Sequence, residues 1–210
     1  MIESVLSYWR TGGPLMPILA IVSFTIWFYF LRVRGDVMDV VRVQDDFEDR
    51  LLDDLGNRSL EENLAHYQSL SGAIPQAVAT SLSAAAADER PGVAFDRCRQ
   101  AYRGRMDREI RVLSAFTVAA PLLGLLGTVI GMVTTFRAVS TQFGNTAVAV
   151  SEGISQALIT TQCGLIVALP GIFGVARARR LLEQAGSRWG ECRIHVVRML
   201  HGVSSSGASA

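Results

Sequence analysis

The chain has 210 residues, half of them hydrophobic, with 19% charged and a mean hydropathy of +0.30; a water-soluble domain of this size carries nearer about a quarter charged residues. The net charge of +1 says little about nucleic-acid partners, but charges are missing from 11–31, 112–136 and 153–176. Each of these stretches reaches or exceeds the roughly 20 residues that a helix needs to cross a hydrocarbon layer of about 30 Å, which excludes a disordered chain, a disulfide-stapled secreted module and a water-soluble enzyme.

The expected fold is all-α: an integral membrane protein with three transmembrane helices, the second and third extended into the cytoplasm. Residues 1–14 form an N-terminal segment at the outer interface, where Tyr8, Trp9 and Arg10 suit the headgroup layer, and Gly12-Gly13-Pro14 closes it. The first transmembrane helix covers 15–31, with Pro17 tolerable in its first turn. Phe24, Trp27, Phe28, Tyr29 and Phe30 make it the bulky, lipid-facing span. It starts late, lacks a small-x-small cleavage site and is followed by Arg32-Val33-Arg34, so it reads as a permanent span rather than a removed leader.

Residues 32–111 form a helical, charged segment. Val40, Val43, Phe47, Leu51 and Leu55 recur every three or four positions, as on an amphipathic helix that breaks at Gly56-Asn57. Ser59-Leu60-Glu61-Glu62 resembles a capping box opening a further helix. Gly72 and Pro75 punctuate, the Ala-rich 77–87 follows, and Arg90-Pro91-Gly92 breaks the chain before a run that continues to Arg137. The second transmembrane helix is placed at 112–136, a short outer loop at 137–152, the third transmembrane helix at 153–176, an inward-continuing C-terminal helix at 177–202 and a disordered Ser/Gly/Ala tail at 203–210.

All 20 basic residues are arginines. They concentrate in 32–111 and after 176, so the rule that basic flanks stay in the cytoplasm puts the N-terminus outside and the C-terminus inside. Cys98, Cys163 and Cys192 then lie in the cytoplasm or the membrane, without metal-ligand spacing, and read as structural thiols. No metal and no cofactor is expected.

The second and third spans differ in kind from the first. Gly124, Gly127 and Gly131 mark one, and Gly153, Gly164, Gly171 and Gly174 the other, with Ala157, Ala168 and Ala176. Small residues let helix backbones approach closely inside lipid, so Gly124, Gly127, Gly131 and Gly164 are read as helix-packing positions. Whether they pack within one chain or around a symmetry axis stays open at this point. Ser114, Thr117, Thr128, Thr134 and Thr135 on the second span, and Ser155, Gln156, Thr160, Thr161, Gln162 and Cys163 on the third, are too many polar groups to face lipid. Gln156 and Thr160 share a face at i, i+4, whereas Thr161 points about 100° away from Thr160. A polar-lined interior is therefore favoured. No Asp, Glu, His or Lys lies inside the second or third span, and Glu152 sits at the outer edge of the third. A proton path through lipid ordinarily uses an ionisable relay, so any relay here must come from another chain.

The run Ala120-Pro121-Leu122-Leu123-Gly124-Leu125-Leu126-Gly127-Thr128-Val129-Ile130-Gly131-Met132 resembles the second-span motif of the ExbB/TolQ/MotA proton-channel family. Gly153-Ile154-Ser155-Gln156-Ala157-Leu158-Ile159-Thr160-Thr161-Gln162-Cys163-Gly164-Leu165 resembles its third-span motif. The likeness is close over 105–180 and extends elsewhere by layout. Flagellar stator subunits of the family have four spans, so three spans place the chain with the ExbB/TolQ branch. The resemblance implies a homopentamer in the bacterial inner membrane around single-span helices of an ExbD/TolR-type partner. That partner's membrane Asp would carry the proton, and the assembly would pass proton-motive force to an envelope protein of TonB or TolA type. By motif position Thr128 and Thr161 correspond to the family's pore threonines, with Gln156 and Thr160 expected to join them in lining the proton pathway and Glu152 as a pore-mouth charge. Family members such as ExbB often carry Glu where this chain has Gln156, which does not titrate but still donates and accepts hydrogen bonds.

Two functions from different classes follow. One is a non-enzymatic channel and motor subunit; the alternative is a structural membrane ring or scaffold without proton flux of its own. An intramembrane enzyme would need a nucleophile with a base, or clustered ligands, whereas His66, His195 and His201 all lie outside the spans. No nucleic-acid partner is expected.

Overall fold

A computed structural model describes residues 9, 12–42, 60–141 and 146–207. Among them there is no strand. After a short 3-10 turn at Gly13–Leu15 come α1 (Met16–Arg42), α2 (Leu60–Ser69), α3 (Ala73–Ala86), α4 (Pro91–Thr141) and α5 (Thr146–Gly207). Three of these, α1, α4 and α5, are long and apolar enough to cross a membrane.

Local chemistry sets the helix starts and stops. Gly13 sits at φ +70°, a left-handed conformation that glycine adopts without strain, and Pro14 then opens the turn. Glu61 and Glu62 lie in the first turn of α2, where carboxylates meet the positive end of the helix dipole. Gly72 precedes α3, and Asp88, at φ 58°, reverses the chain after it. The amide of Glu89 donates to the Ala84 carbonyl at 2.8 Å, closing the end of α3. Pro91 then opens α4 at its first position, where its missing N–H costs nothing. Pro121 and Pro170 lie inside α4 and α5, and both helices continue through them.

Several expected boundaries move. α4 runs to Thr141 and α5 starts at Thr146, so helix occupies most of the loop expected at 137–152. Once a long helix is nucleated, each added residue gains a hydrogen bond without a fresh nucleation cost, and neither flank carries a proline to stop it. For the same reason α5 passes residue 202 and takes up 203–207 of the tail expected to be disordered. The break expected at Gly56-Asn57 and the apolar positions Val43 to Leu55 lie outside the described residues.

The chain divides into two compact units, Met1–Leu31 with Ile110–Arg177, and Arg32–Glu109 with Ala178–Ala210. In the first, Val22 and Ile26 of α1 pack with Leu113, Ala120 and Ala168, flanked by Phe30, Phe116 and Val175. Phe24, at 74% exposure, and Ile21, Trp27 and Phe28 lie on the outer face of α1. The first span is thus exposed and apolar on one side and packed on the other.

The second unit is built differently. Trp189, Phe95, Met106, Val33, Val37 and Val196 are fully buried, and Trp189 meets Phe95 edge-on and Tyr102 at a tilt, each with ring centroids 5.5 Å apart. Ion pairs ring this core. Glu109 pairs with Arg32 at 3.3 Å and Arg105 at 3.5 Å, Arg105 reaches Asp36 at 3.1 Å, and Arg193 reaches Asp96 at 3.0 Å. The Tyr102 hydroxyl donates to the Asp36 carbonyl at 3.2 Å.

Candidate functional site

Within the first unit, α4 and α5 run antiparallel along a seam of small residues. On α4 the seam positions are Thr117, Ala120, Gly124, Gly127, Gly131 and Thr135; on α5 they are Gly153, Ala157, Thr160, Gly164, Ala168 and Gly171, each set stepping by three or four. That spacing keeps a single stripe facing the other helix.

The approach is close enough to require glycine. A Cβ on Gly164 would stand 2.8 Å from the Ala120 carbonyl oxygen and 3.0 Å from the Gly124 Cα. One on Gly131 would stand 2.7 Å from the Gly153 carbonyl oxygen, and one on Gly124 would stand 3.1 Å from the Thr161 Cα. Gly127 faces Thr160, Gly153 faces Thr135, and Gly171 faces Thr117. The four glycines read from the sequence as packing positions therefore pack within one chain. The glycine-to-threonine pairing adds a rule that the sequence reading missed: each threonine fills the hollow left by a glycine across the seam. Its signal was the shared three-four spacing of the two sets.

The threonine hydroxyls of this region donate to backbone carbonyls. Thr117 donates to the Leu113 carbonyl at 2.8 Å, Thr128 to Leu125 at 2.6 Å, Thr134 to Gly131 at 2.7 Å and Thr135 to Gly131 at 3.0 Å. Thr160 is shared between Gln156 and Ala157, at 3.1 and 3.0 Å. Thr161 donates to Ala157 at 3.1 Å and reaches across the seam to the Gly124 carbonyl at 3.3 Å. A hydroxyl has one donor and two acceptor lone pairs. With its proton held by a carbonyl, it offers an approaching group acceptor capacity only.

The residues expected to act together separate into three environments. Thr128 and Thr161 are half-buried, and Thr128 lies one helical turn from Gly124, to whose carbonyl Thr161 bonds. Thr160 is 1% exposed and wedged against Gly127, so it belongs to the seam and does not share an open flank with Thr161. Gln156 lies elsewhere again: its side-chain amide packs on Gly13, in the space that any β-carbon there would need. Glu152 is exposed and, one turn before Gln156, sits on helix α5 rather than on a loop. Neither the Gln156–Gly13 contact nor the burial of Thr160 is readable from local spacing, because both depend on how each helix is rotated about its axis.

Leu122, Leu125, Val129, Phe136, Leu158, Leu165, Leu169 and Phe173 leave the outer faces of the two helices apolar and exposed. Among the described residues, no three His, Cys, Asp or Glu side chains are grouped as metal ligands. The arrangement is a closely packed hairpin with hydroxyls along it and no titrating carboxylate, amine or imidazole within 112–136 or 153–176.

Comparison with known proteins places this hairpin. The family model of the MotA/TolQ/ExbB proton channel family matches residues 55–191. The biopolymer transport protein exbB1 of Vibrio cholerae is 37% identical over 76 residues, covering 36% of this chain and 33% of its own. The biopolymer transport protein ExbB of Salmonella typhimurium is 36% identical over 85 residues, covering 40% and 34%. The Tol-Pal system protein TolQ of Pseudomonas aeruginosa is 33% identical over 73 residues, covering 35% and 32%. The matched region spans about a third of the length of each of these relatives.

Proposed function

The chain belongs to the MotA/TolQ/ExbB proton channel family, with relatives named ExbB and TolQ, and on that premise we propose that it is the channel and motor subunit of an inner-membrane energy-transducing complex. Copies of the chain form a ring, a pentamer by family resemblance, around an ExbD/TolR-type single-span partner. The partner's membrane Asp takes up and releases the proton, and the complex works on an envelope protein of TonB or TolA type. In this reading the N-terminus is periplasmic, and the charged segments 32–111 and 177–202 are cytoplasmic, as the arginine distribution favours.

The observation that carries this reading is the hydrogen-bond polarity of a hairpin that has no ionisable relay of its own. Thr128 and Thr161 donate to backbone carbonyls and so offer lone pairs. A protonated carboxylic acid, which carries an O–H, satisfies those lone pairs directly. A carboxylate does not, unless the threonine releases its backbone partner or water intervenes. The wall thus favours the neutral state of the partner acid beside the threonines and the charged state where water reaches it. That difference gives protonation a mechanical consequence. Thr160, held in the seam, supports the wall, and Glu152 is the charge at its outer edge.

Replacing Thr161 with Val removes the hydroxyl while keeping the branched shape. Thr161→Val is expected to abolish energy transduction with assembly intact, and Thr161→Ser to retain most of it. Normal energisation of the envelope partner by Thr161→Val would remove Thr161 from the pathway.

The second reading is a ring or scaffold without proton flux. The packing of the Gln156 amide on Gly13 favours it, since that contact ties a polar group to the entry of α1. Proton uptake by vesicles holding the chain and its partner separates the two readings.

A further inference from the structure

We propose that a cavity in the second unit is a binding site for a small soluble phosphate ester. The cavity has a volume of about 350 Å³ and opens between α4 and α5, where Arg99, Tyr102 and Arg103 face Glu183, Ser187 and Trp189. A volume of that order suits a small-molecule ligand.

Its chemistry is specific. Arg99 and Arg103 stand one turn apart on the same face of α4, so two guanidinium forks border one opening. Guanidinium pairs with phosphate oxygens through two parallel N–H donors, which makes paired arginines a phosphate-recognising element. Arg103 has an ion pair with Asp107, but at 3.9 Å and with both side chains largely in solvent it is easily exchanged. The Ser187 hydroxyl adds a further polar contact on the opposite wall.

Tyr102 and Trp189, tilted at 35° to each other, give the cavity an aromatic side suited to an apolar or ring-bearing body. The Trp189 indole is 1% exposed, and its Nε1–H has no acceptor among the described residues. That nitrogen is itself sealed from solvent, so it lies behind the cavity wall and the two arginines carry the anion recognition. None of the lining residues lies in 112–136 or 153–176, so the site draws on the charged segments and is assigned a ligand from water rather than a lipid headgroup.

The test uses the full chain in nanodiscs of zwitterionic lipid, with Trp9→Phe and Trp27→Phe so that Trp189 is the remaining one of three tryptophans. Phenyl phosphate is titrated against Trp189 emission, with phenol and a short-chain phosphatidylglycerol as parallel arms. The expected result is a saturable change with phenyl phosphate, none with phenol, and a response to the phospholipid at least about tenfold weaker. Arg99→Ala with Arg103→Ala should weaken the phenyl phosphate response by about tenfold or more, the loss of roughly one charge-assisted contact. The Lys pair should fall between, keeping charge without the fork. No saturable response, an equal response to phenol, or full retention in the alanine pair overturns the site. A tighter response to the phospholipid overturns the assignment to a soluble ligand.

Discussion

The two units of this chain solve the same packing problem by opposite means. The hairpin of α4 and α5 in the first unit brings backbones together over Gly124, Gly131, Gly153 and Gly164, and its hydroxyls are retained by its own carbonyls. The second unit separates its helices with Trp189, Phe95, Tyr102 and Met106 and borders them with ion pairs. With the first unit in lipid and the second in water, as the proposed function has them, the difference follows from the surrounding medium. Where water surrounds a helix, burying a large apolar side chain is itself the driving force. Where lipid surrounds it, a leucine gains nothing by moving from lipid to protein, and association rests on close contact and satisfied polar groups.

Glycines show the contrast most sharply, and they give the strongest way to break it. In the seam a β-carbon on Gly164 meets backbone at 2.8 Å, and backbone does not rotate away. Gly164→Val should therefore keep the hairpin from closing, with a loss of about 3 kcal/mol or more. Thermal unfolding in detergent and yield of assembled protein are the measurements. A variant that assembles and unfolds like the parent would show that close backbone contact does not hold this unit.

In the second unit the corresponding blow is truncation. Trp189→Ala removes a side chain that is 1% exposed and contacts two other rings, and it should cost about 3–5 kcal/mol. Losing less than about 1 kcal/mol would mean that aromatic burial is not what stabilises the unit.

Charge pairs come next. Glu109 is 8% exposed, yet its partners Arg32 and Arg105 are both about half in solvent. Glu109→Gln should therefore cost only about 1 kcal/mol, since exposed partners are screened and rehydrate. High salt should shrink the difference between parent and variant, a dependence absent from Gly164→Val.

The smallest effect has the opposite sign. Gly104, in α4 but within the second unit, has nothing within 4 Å of a built β-carbon. Gly104→Ala should stabilise the chain by up to about 1 kcal/mol through helix propensity alone. Destabilisation there would show that close contact also governs the second unit, erasing the contrast.

Much of this architecture was legible in the residues themselves. The charge-free stretches fall within the three helices that are long and apolar enough to cross a membrane, and the small residues of the second and third stretches face one another where α4 meets α5. What escaped was helix rotation and helix ending. Thr160 and Thr161 differ by one residue and about 100°, but only the position of Gly127 on the facing helix decides that Thr160 is the one buried. Gln156 shares a helical face with Thr160, and its amide nevertheless comes to rest on Gly13, far away in sequence. Helix endings were misjudged because the residues flanking 142–145 and those after 202 are permissive rather than breaking, and permissive residues follow the helix they extend.

The central claim is that this chain supplies a wall of hydroxyls and close-packed backbone, while the acid that carries the proton belongs to a different polypeptide. Vesicles under an imposed membrane potential test it most directly, with internal pH followed by a trapped dye. The chain alone should leave the vesicles as proton-tight as empty ones, and adding the single-span partner should open a flux that an Asp→Asn change in that partner abolishes. Proton flux through the purified chain without any partner would contradict the account.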